Sequence, residues 1–187
     1  MEVKYKFSLA GDKGVGKSCL SHSFAKSIFP KQYDPSIANR YTKNITVDGD
    51  LAVVEILDAS SGEQYMAVHE MQWKSSQCVL FCFSMTDKNS FDKIPSLYSS
   101  VTSIHKTAQV FVLVGTKGDM NKDRQVTKEG ATELAEYYKM KYFETSALTQ
   151  NGIHKLFEYC IRKIRTRQEA ANNTNNKRKK KLSCVIL

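Results

Sequence analysis

The segment Gly11-Asp12-Lys13-Gly14-Val15-Gly16-Lys17-Ser18 fits G-x-x-x-x-G-K-[S/T], a loop that cradles phosphate groups. The residue types follow from that task. Glycines let backbone N–H groups turn inward onto phosphate oxygens, Lys17 supplies a point charge, and the Ser18 hydroxyl can reach a Mg²⁺ ion. Such a loop requires a strand before it and a helix after it. Residues 3–10 (VKYKFSLA) alternate Val3, Tyr5, Phe7 and Leu9 with polar or small residues, as a strand does. Leu20 and Phe24 then recur at helical spacing. An ordinary glycine-rich turn explains the loop but not its surroundings. Lys13 is the odd residue, standing where a further glycine is expected.

The rest of the chain alternates strand and helix, which predicts an α/β fold with a mostly parallel, six-stranded sheet covered by helices on both faces. Arg40–Val47 and Leu51–Leu57 flank Asp48-Gly49-Asp50, a hairpin signal that makes one edge antiparallel. Val79–Met85 and Val110–Gly115 read as buried strands, and Tyr142–Glu144 as a short last one. Helices are expected over 90–105, from a Thr127 cap to Tyr138, and from near Asn151. The last shows Ile153, Leu156, Phe157, Cys160, Ile161 and Ile164 at i, i+3, i+4, i+7, i+8 and i+11. From about Gln168 the chain turns polar (EAANNTNN), which is linker composition. The expected organisation is one domain over 1–168 and a flexible tail over 169–187.

At 187 residues the chain is long enough for a sizeable core. It has no run of 18 or more apolar residues, no charged-then-apolar leader, and no glycine after Met1 to be myristoylated. The five cysteines, Cys19, Cys78, Cys82, Cys160 and Cys184, lack metal-ligand spacing and fit a reducing compartment. The net charge of +9 resolves into +8 within residues 162–187 and +1 over everything else. The basicity belongs to the tail, which argues against nucleic-acid binding by the body.

Four further segments lie in the order and spacing of the Ras superfamily of small GTPases, and the resemblance covers residues 3–187. Tyr33-Asp34-Pro35-Ser36-Ile37 resembles the first switch loop, with Ser36 where the family usually has threonine on Mg²⁺ and the γ-phosphate. Phe29 matches the aromatic that packs edge-on against guanine. Leu57-Asp58 ends the third strand, and its carboxylate can hold Mg²⁺ through water. Thr116-Lys117-Gly118-Asp119 is similar to the guanine-reading N/T-K-x-D, where Asp119 accepts from N1–H and the exocyclic amine. Glu144-Thr145-Ser146-Ala147-Leu148 resembles the loop whose Ala147 N–H meets the guanine carbonyl.

The resemblance therefore implies GTP/GDP and Mg²⁺ as cofactors. The metal ligands would be Ser18, Ser36 and Asp58. Nucleotide contacts would come from Gly11 through Cys19, Phe29, Tyr33, Ser36, Asp58, Ser61, Thr116, Lys117, Asp119, Ser146, Ala147 and Leu148. The effector loop would be Tyr33, Asp34, Pro35, Ser36, Ile37, Ala38, Asn39, Arg40 and Tyr41. Ala38 and Asn39 replace residues that are acidic in Ras, which changes the charge offered to an effector.

Cys184-Val185-Ile186-Leu187 is a C-a-a-X box whose leucine favours geranylgeranyl. It follows Lys177-Arg178-Lys179-Lys180-Lys181, and a prenyl chain plus a polybasic patch supplies the two signals that stable anchoring needs. The expected location is the cytoplasmic face of a membrane, the plasma membrane in particular. The expected partners are effector proteins, an exchange factor and an anionic membrane surface, with the chain itself a monomer.

Counting from Asp58 to Tyr65, the family's D-x-A-G-Q-E-x-Y becomes Asp58-Ala59-Ser60-Ser61-Gly62-Glu63-Gln64-Tyr65. Ser61 replaces the glycine that meets the γ-phosphate, and Gly62 replaces the glutamine that orients the attacking water. A slip of one residue would put Glu63 at that place, and Gln64 comes two residues late. Lys13 adds a long side chain where an arginine finger would act, an aid that can be worth 10³–10⁵ in rate. Alternatively, the Lys13 ammonium lies over the γ-phosphate. The expectation is a membrane-anchored Ras-like switch with impaired GTP hydrolysis and no catalytic residue assigned. The alternatives are a non-hydrolysing GTP-bound adaptor, a Rab-like or Rho-like trafficking or cytoskeletal regulator, and a P-loop ATPase in which Asp119 has no role.

Overall fold

The computed structural model describes residues 3–30, 39–58, 66–104 and 109–183, with residues 174–183 as backbone alone. Along the chain run β1 (Val3–Ala10), α1 (Lys17–Lys26), β2 (Asn39–Val47), β3 (Asp50–Asp58), α2 (Met66–Ser75) and β4 (Cys78–Ser84). Then come α3 (Lys88–Asp92), α4 (Ile94–Ser103), β5 (Val110–Thr116), a 3₁₀ turn (Asn121–Asp123), α5 (Lys128–Tyr137), β6 (Lys141–Glu144) and α6 (Ile153–Ser183). The strands form one sheet in the order β2-β3-β1-β4-β5-β6. Only β2 is antiparallel, pairing with β3 from Asn39↔Asp58 to Val47↔Asp50. Asp48 and Gly49 both take positive φ (54° and 87°), the mirror-image turn whose twist suits a two-residue hairpin.

Parallel strands are covered on both faces, so they read as apolar runs rather than alternations. Every residue of β4 is buried. Cys78, Leu80 and Cys82 join the layer beneath α1 and α6, while Val79, Phe81 and Phe83 join the layer beneath α4 and α5. The first layer centres on Phe157, fully buried, which stacks on Phe24 at 3.7 Å between ring centroids and tilts against Phe7 at 5.2 Å. All six periodic apolar residues of α6 are buried in this layer. The second layer holds Ile94, Val101, Ala131 and Ala135, with Trp73 of α2 at its margin.

Four features differ from the expectations. The single helix over 90–105 is two. Asp87 caps α3 by accepting the Asn89 and Ser90 N–H groups, and Pro95 sits in the first turn of α4, where its missing donor costs nothing. The helix α2 was not anticipated; Trp73 is buried while Val68 and Met71 are left outside, so its apolar periodicity is weak. The short turn Asn121–Asp123 also carried no signal. Finally, α6 runs on to Ser183 through the segment whose composition suggests a linker. No glycine or proline interrupts residues 153–183, and Arg, Gln, Glu, Ala and Lys all favour helix. Residues 166–173 are exposed, so this part is helical by propensity rather than by packing. No helix among the described residues is long and apolar enough to cross a membrane.

Because Phe157 joins α6, α1 and β1, truncating it removes contacts from three elements at once. Phe157→Ala is expected to lower unfolding free energy by about 3–5 kcal/mol, measured by denaturant titration. A loss below about 1 kcal/mol would show that this layer relaxes around the cavity.

Candidate functional site

The loops that follow β1, β4, β5 and β6 all emerge at the carboxyl end of the parallel sheet, where ligands bind in open α/β sheets. The loop after β1 presses against β4 at Gly11. A Cβ there would lie 2.3 Å from the Cys82 carbonyl oxygen, so only glycine lets the two backbones approach. At the other end Gly16 starts α1 in a left-handed conformation (φ 100°) without a side-chain cap. The first turn of a helix carries N–H groups without intrahelical partners, and these favour an anion.

Lys17 is buried to 6% exposure and donates from Nζ to the carbonyls of Gly11 (2.9 Å) and Asp12 (2.8 Å). Burial holds its ammonium below the usual lysine range, while Cys82, Asp58 and Asp12 pull the other way. Asp58 ends β3 beneath this loop and is 3% exposed. Burial raises its carboxyl above the usual range, opposed by a hydrogen bond from Ser18 and by the Lys17 charge. Its Oδ1 is buried with no hydrogen-bond partner. An orphaned, desolvated carboxylate oxygen beside a serine hydroxyl suits a hard cation. Ser18 and Asp58 thus fit the expected Mg²⁺, which would neutralise phosphate charge here.

A cavity of about 360 Å³ opens beside the loop, lined by Gly16, Cys19, Phe29, Thr116, Lys117, Asp119, Ala147 and Leu148 among the expected residues. Two segments shape it. After β5, the Thr116 hydroxyl reaches the Val15 and Phe83 carbonyls, the latter at 3.0 Å, joining the phosphate loop to β4 and β5. A hydroxyl has one proton, so it serves these two acceptors one at a time. After β6, the Ser146 hydroxyl donates to Asp119 Oδ1 at 2.6 Å and fixes that carboxylate at the cavity wall. The Gly118 N–H donates to the Thr145 carbonyl (2.9 Å), and Ser23 of α1 donates to the Ala147 carbonyl (3.0 Å).

Glu144 anchors the second segment. Both its oxygens accept from Arg124 (3.1 and 2.8 Å), and Oε1 also accepts the Tyr142 hydroxyl at 3.0 Å. Burial alone would raise the Glu144 carboxyl, but Arg124 and Tyr142 outweigh it and hold it below the usual carboxylate range.

The remaining expected residues divide clearly. Val15 is buried under the loop, and Lys13 and Gly14 are exposed on it. Phe29 sits at the cavity rim, 44% exposed. Arg40 and Tyr41 lie on β2, where Arg40 pairs with Glu55 at 2.9 Å and Tyr41 meets His22 edge to face. Tyr33, Asp34, Pro35, Ser36, Ile37 and Ala38 lie outside the described residues, as do Ser61, Gly62, Glu63, Gln64 and Cys184. Three residues lining the cavity were missed: Leu20, Met120 and Thr145. Leu20 and Met120 adjoin expected residues, and Thr145 lies inside the motif Glu144–Leu148 without having been assigned a contact. Ser23 had no such signal.

Fold and site together define a P-loop nucleotide-binding domain. A model of the Ras family matches residues 6–166. The Ras-like protein RAS2 of Hydra vulgaris is 31% identical over 188 residues, covering 100% of this chain and 98% of that protein. The Ras-like protein 2 of Mucor circinelloides f. lusitanicus is 31% identical over 98% of this chain and 95% of its own. The mouse Ras-related protein R-Ras is 34% identical over 88% and 76%. The chain belongs to the Ras family of small GTPases. Proteins of this family bind GTP and GDP, generally with Mg²⁺, and generally interact with effectors and exchange factors.

The lone Asp58 oxygen yields a direct test. With GDP bound, Mg²⁺ at 100 times its dissociation constant is expected to stabilise the wild-type protein by about 2.7 kcal/mol. Asp58→Asn is expected to lose most of that gain yet be no less stable in chelator, since it removes a desolvated charge. Thermal unfolding with and without Mg²⁺ reads both, and equal Mg²⁺ stabilisation of the variant would rule out Asp58 as a support for the ion.

Proposed function

We propose that this chain is a membrane-anchored, GTP-binding signalling switch that hydrolyses its nucleotide slowly. The observation that carries the reading is Gly62, which stands where the family's water-orienting glutamine belongs and offers no side chain. Lys13 supports it. Its side chain is exposed on the phosphate loop, at a place where bulk obstructs an arginine finger and a glutamine. Three observations among the described residues support intact nucleotide binding, by contrast: the loop closes on β4, Lys17 is held, and Asp119 is fixed by Ser146. A carboxylate at Asp119 suits guanine, whose N1–H and exocyclic amine both donate, and not adenine.

Binding and turnover are therefore expected to separate. Bound GTP would order the two switch loops through its γ-phosphate and create the partner surface. The reading includes geranylgeranylated Cys184 and the basic run 177–181 as the two signals holding the chain on the cytoplasmic face of the plasma membrane. Ser61 favours a second reading, a GTP-bound adaptor that does not cycle. If its γ-phosphate contact needs a glycine-only conformation, serine costs about 1–3 kcal/mol there and uncouples the second switch from the nucleotide.

Chromatography of nucleotide released from the purified protein separates these readings: mostly GDP marks a working enzyme, mostly GTP an adaptor. In single-turnover assays Gly62→Gln is expected to raise hydrolysis at least about tenfold. Wild-type hydrolysis at the ordinary rate of the family, stimulated by a GTPase-activating protein, would sink the slow-turnover reading. In cells, Cys184→Ser is expected to move most of the protein from the membrane fraction to the soluble one, and a variant that stays on membranes would refute the prenyl anchor.

A further inference from the structure

Asp12 is fastened at both ends. Its carbonyl accepts Lys17 Nζ at 2.8 Å. Its carboxylate accepts the Lys13 N–H through Oδ1 at 2.8 Å and meets Lys93 Nζ through Oδ2 at 2.5 Å. Lys93 lies 81 positions further along the chain, at the junction where α3 ends and α4 begins. The neighbouring acids are committed elsewhere: Asp92 pairs with Lys88 at 2.9 Å, and Asp87 caps α3. The hydrogen bond from Lys93 is the main cause that holds the Asp12 carboxyl below the usual range, and the Lys17 charge adds to it.

A carboxylate inside a loop built to cradle phosphates has the same sign of charge as its ligand. We infer that Lys93 is a positioning residue for the phosphate loop: it neutralises Asp12, turns its carboxylate toward the α3–α4 junction, and so governs how long the nucleotide is retained. The inference rests on GTP and GDP as the ligands of this site. Two consequences separate it from a merely structural ion pair. The Lys93 side chain is 57% exposed and that of Asp12 35%, and a pair so exposed contributes little to global stability. Its loss should therefore appear in nucleotide release and not in unfolding. Moreover, the role of Lys93 exists only because Asp12 is charged, so removing that charge should remove the need for Lys93.

The experiment is the release of N-methylanthraniloyl-GDP from the full-length protein, chased with excess GDP, for wild type, Lys93→Gln, Lys93→Arg, Asp12→Asn and the double variant Asp12→Asn/Lys93→Gln. Lys93→Gln is expected to release about three- to tenfold faster at low salt, the effect of one unpaired charge near phosphates in a solvated setting. That gap should narrow at about 0.5 M KCl, where charges more than about 5 Å apart are screened. Lys93→Arg should stay within about twofold of wild type, because it keeps the charge. In the Asp12→Asn background, Lys93→Gln should add less than about twofold, since the charge it balanced is gone. Its unfolding midpoint should stay within about 2 °C of wild type. Release from Lys93→Gln at the wild-type rate, or an equal acceleration in the Asp12→Asn background, would overturn the inference. A wild-type protein that binds none of the labelled nucleotide would instead overturn the GTP/GDP reading itself.

Discussion

A central strand with no exposed residue dictates the rest of this molecule. β4 buries all of its side chains, which obliges the chain to lay helices on both faces of the sheet. Parallel neighbours require crossovers, and the crossovers return β1, β3, β4, β5 and β6 with the same polarity. The loops after β1, β4, β5 and β6 thus gather at one end. Gly11 then lets the first of them lie directly on the Cys82 carbonyl, so the phosphate loop is a continuation of the core rather than an appendage. Burial of Lys17 follows, because the loop closes around its ammonium and offers two carbonyls in place of water.

Much of this was legible in the sequence where the physics is local. The apolar runs of β4 and β5, the Asp48-Gly49 turn and the spacing of Ile153 through Ile164 all matched the elements found. Two motifs read as contiguous stretches, Thr116 to Asp119 and Thr145 to Leu148, contribute residues to the walls of one cavity. What escaped was non-local or non-periodic. The helix α2 buries little besides Trp73, so it writes no stripe into the sequence. The break at Lys93 depends on Pro95, which lacks the N–H that would continue the ladder from α3 and so interrupts an otherwise helical pattern. The contacts of Ser23 with Ala147 and of Lys93 with Asp12 span 124 and 81 positions, and no window reveals such pairs.

The proposed function assigns recognition and turnover to different groups. On that reading, recognition would be carried by backbone N–H groups of the phosphate loop, by the buried Lys17 and by the Asp119 carboxylate that Ser146 holds. Turnover in this family relies on a side chain from a loop after β3 that must place a water molecule. On the proposed reading, Gly62 alters the second set and none of the residues named in the first. Evolution can accordingly tune one without rebuilding the other.

The long final helix has a consequence for reach. Its last packed turn ends near Ile164, and its axis continues to Ser183 for about 28 Å at the usual rise per residue. A flexible chain of the same length would have a similar average span, about 23 Å, but would visit short distances constantly. A helix does not. Residues 165–183 thus form a strut rather than a tether, and the close approaches between its two ends that a flexible chain would make are closed to it.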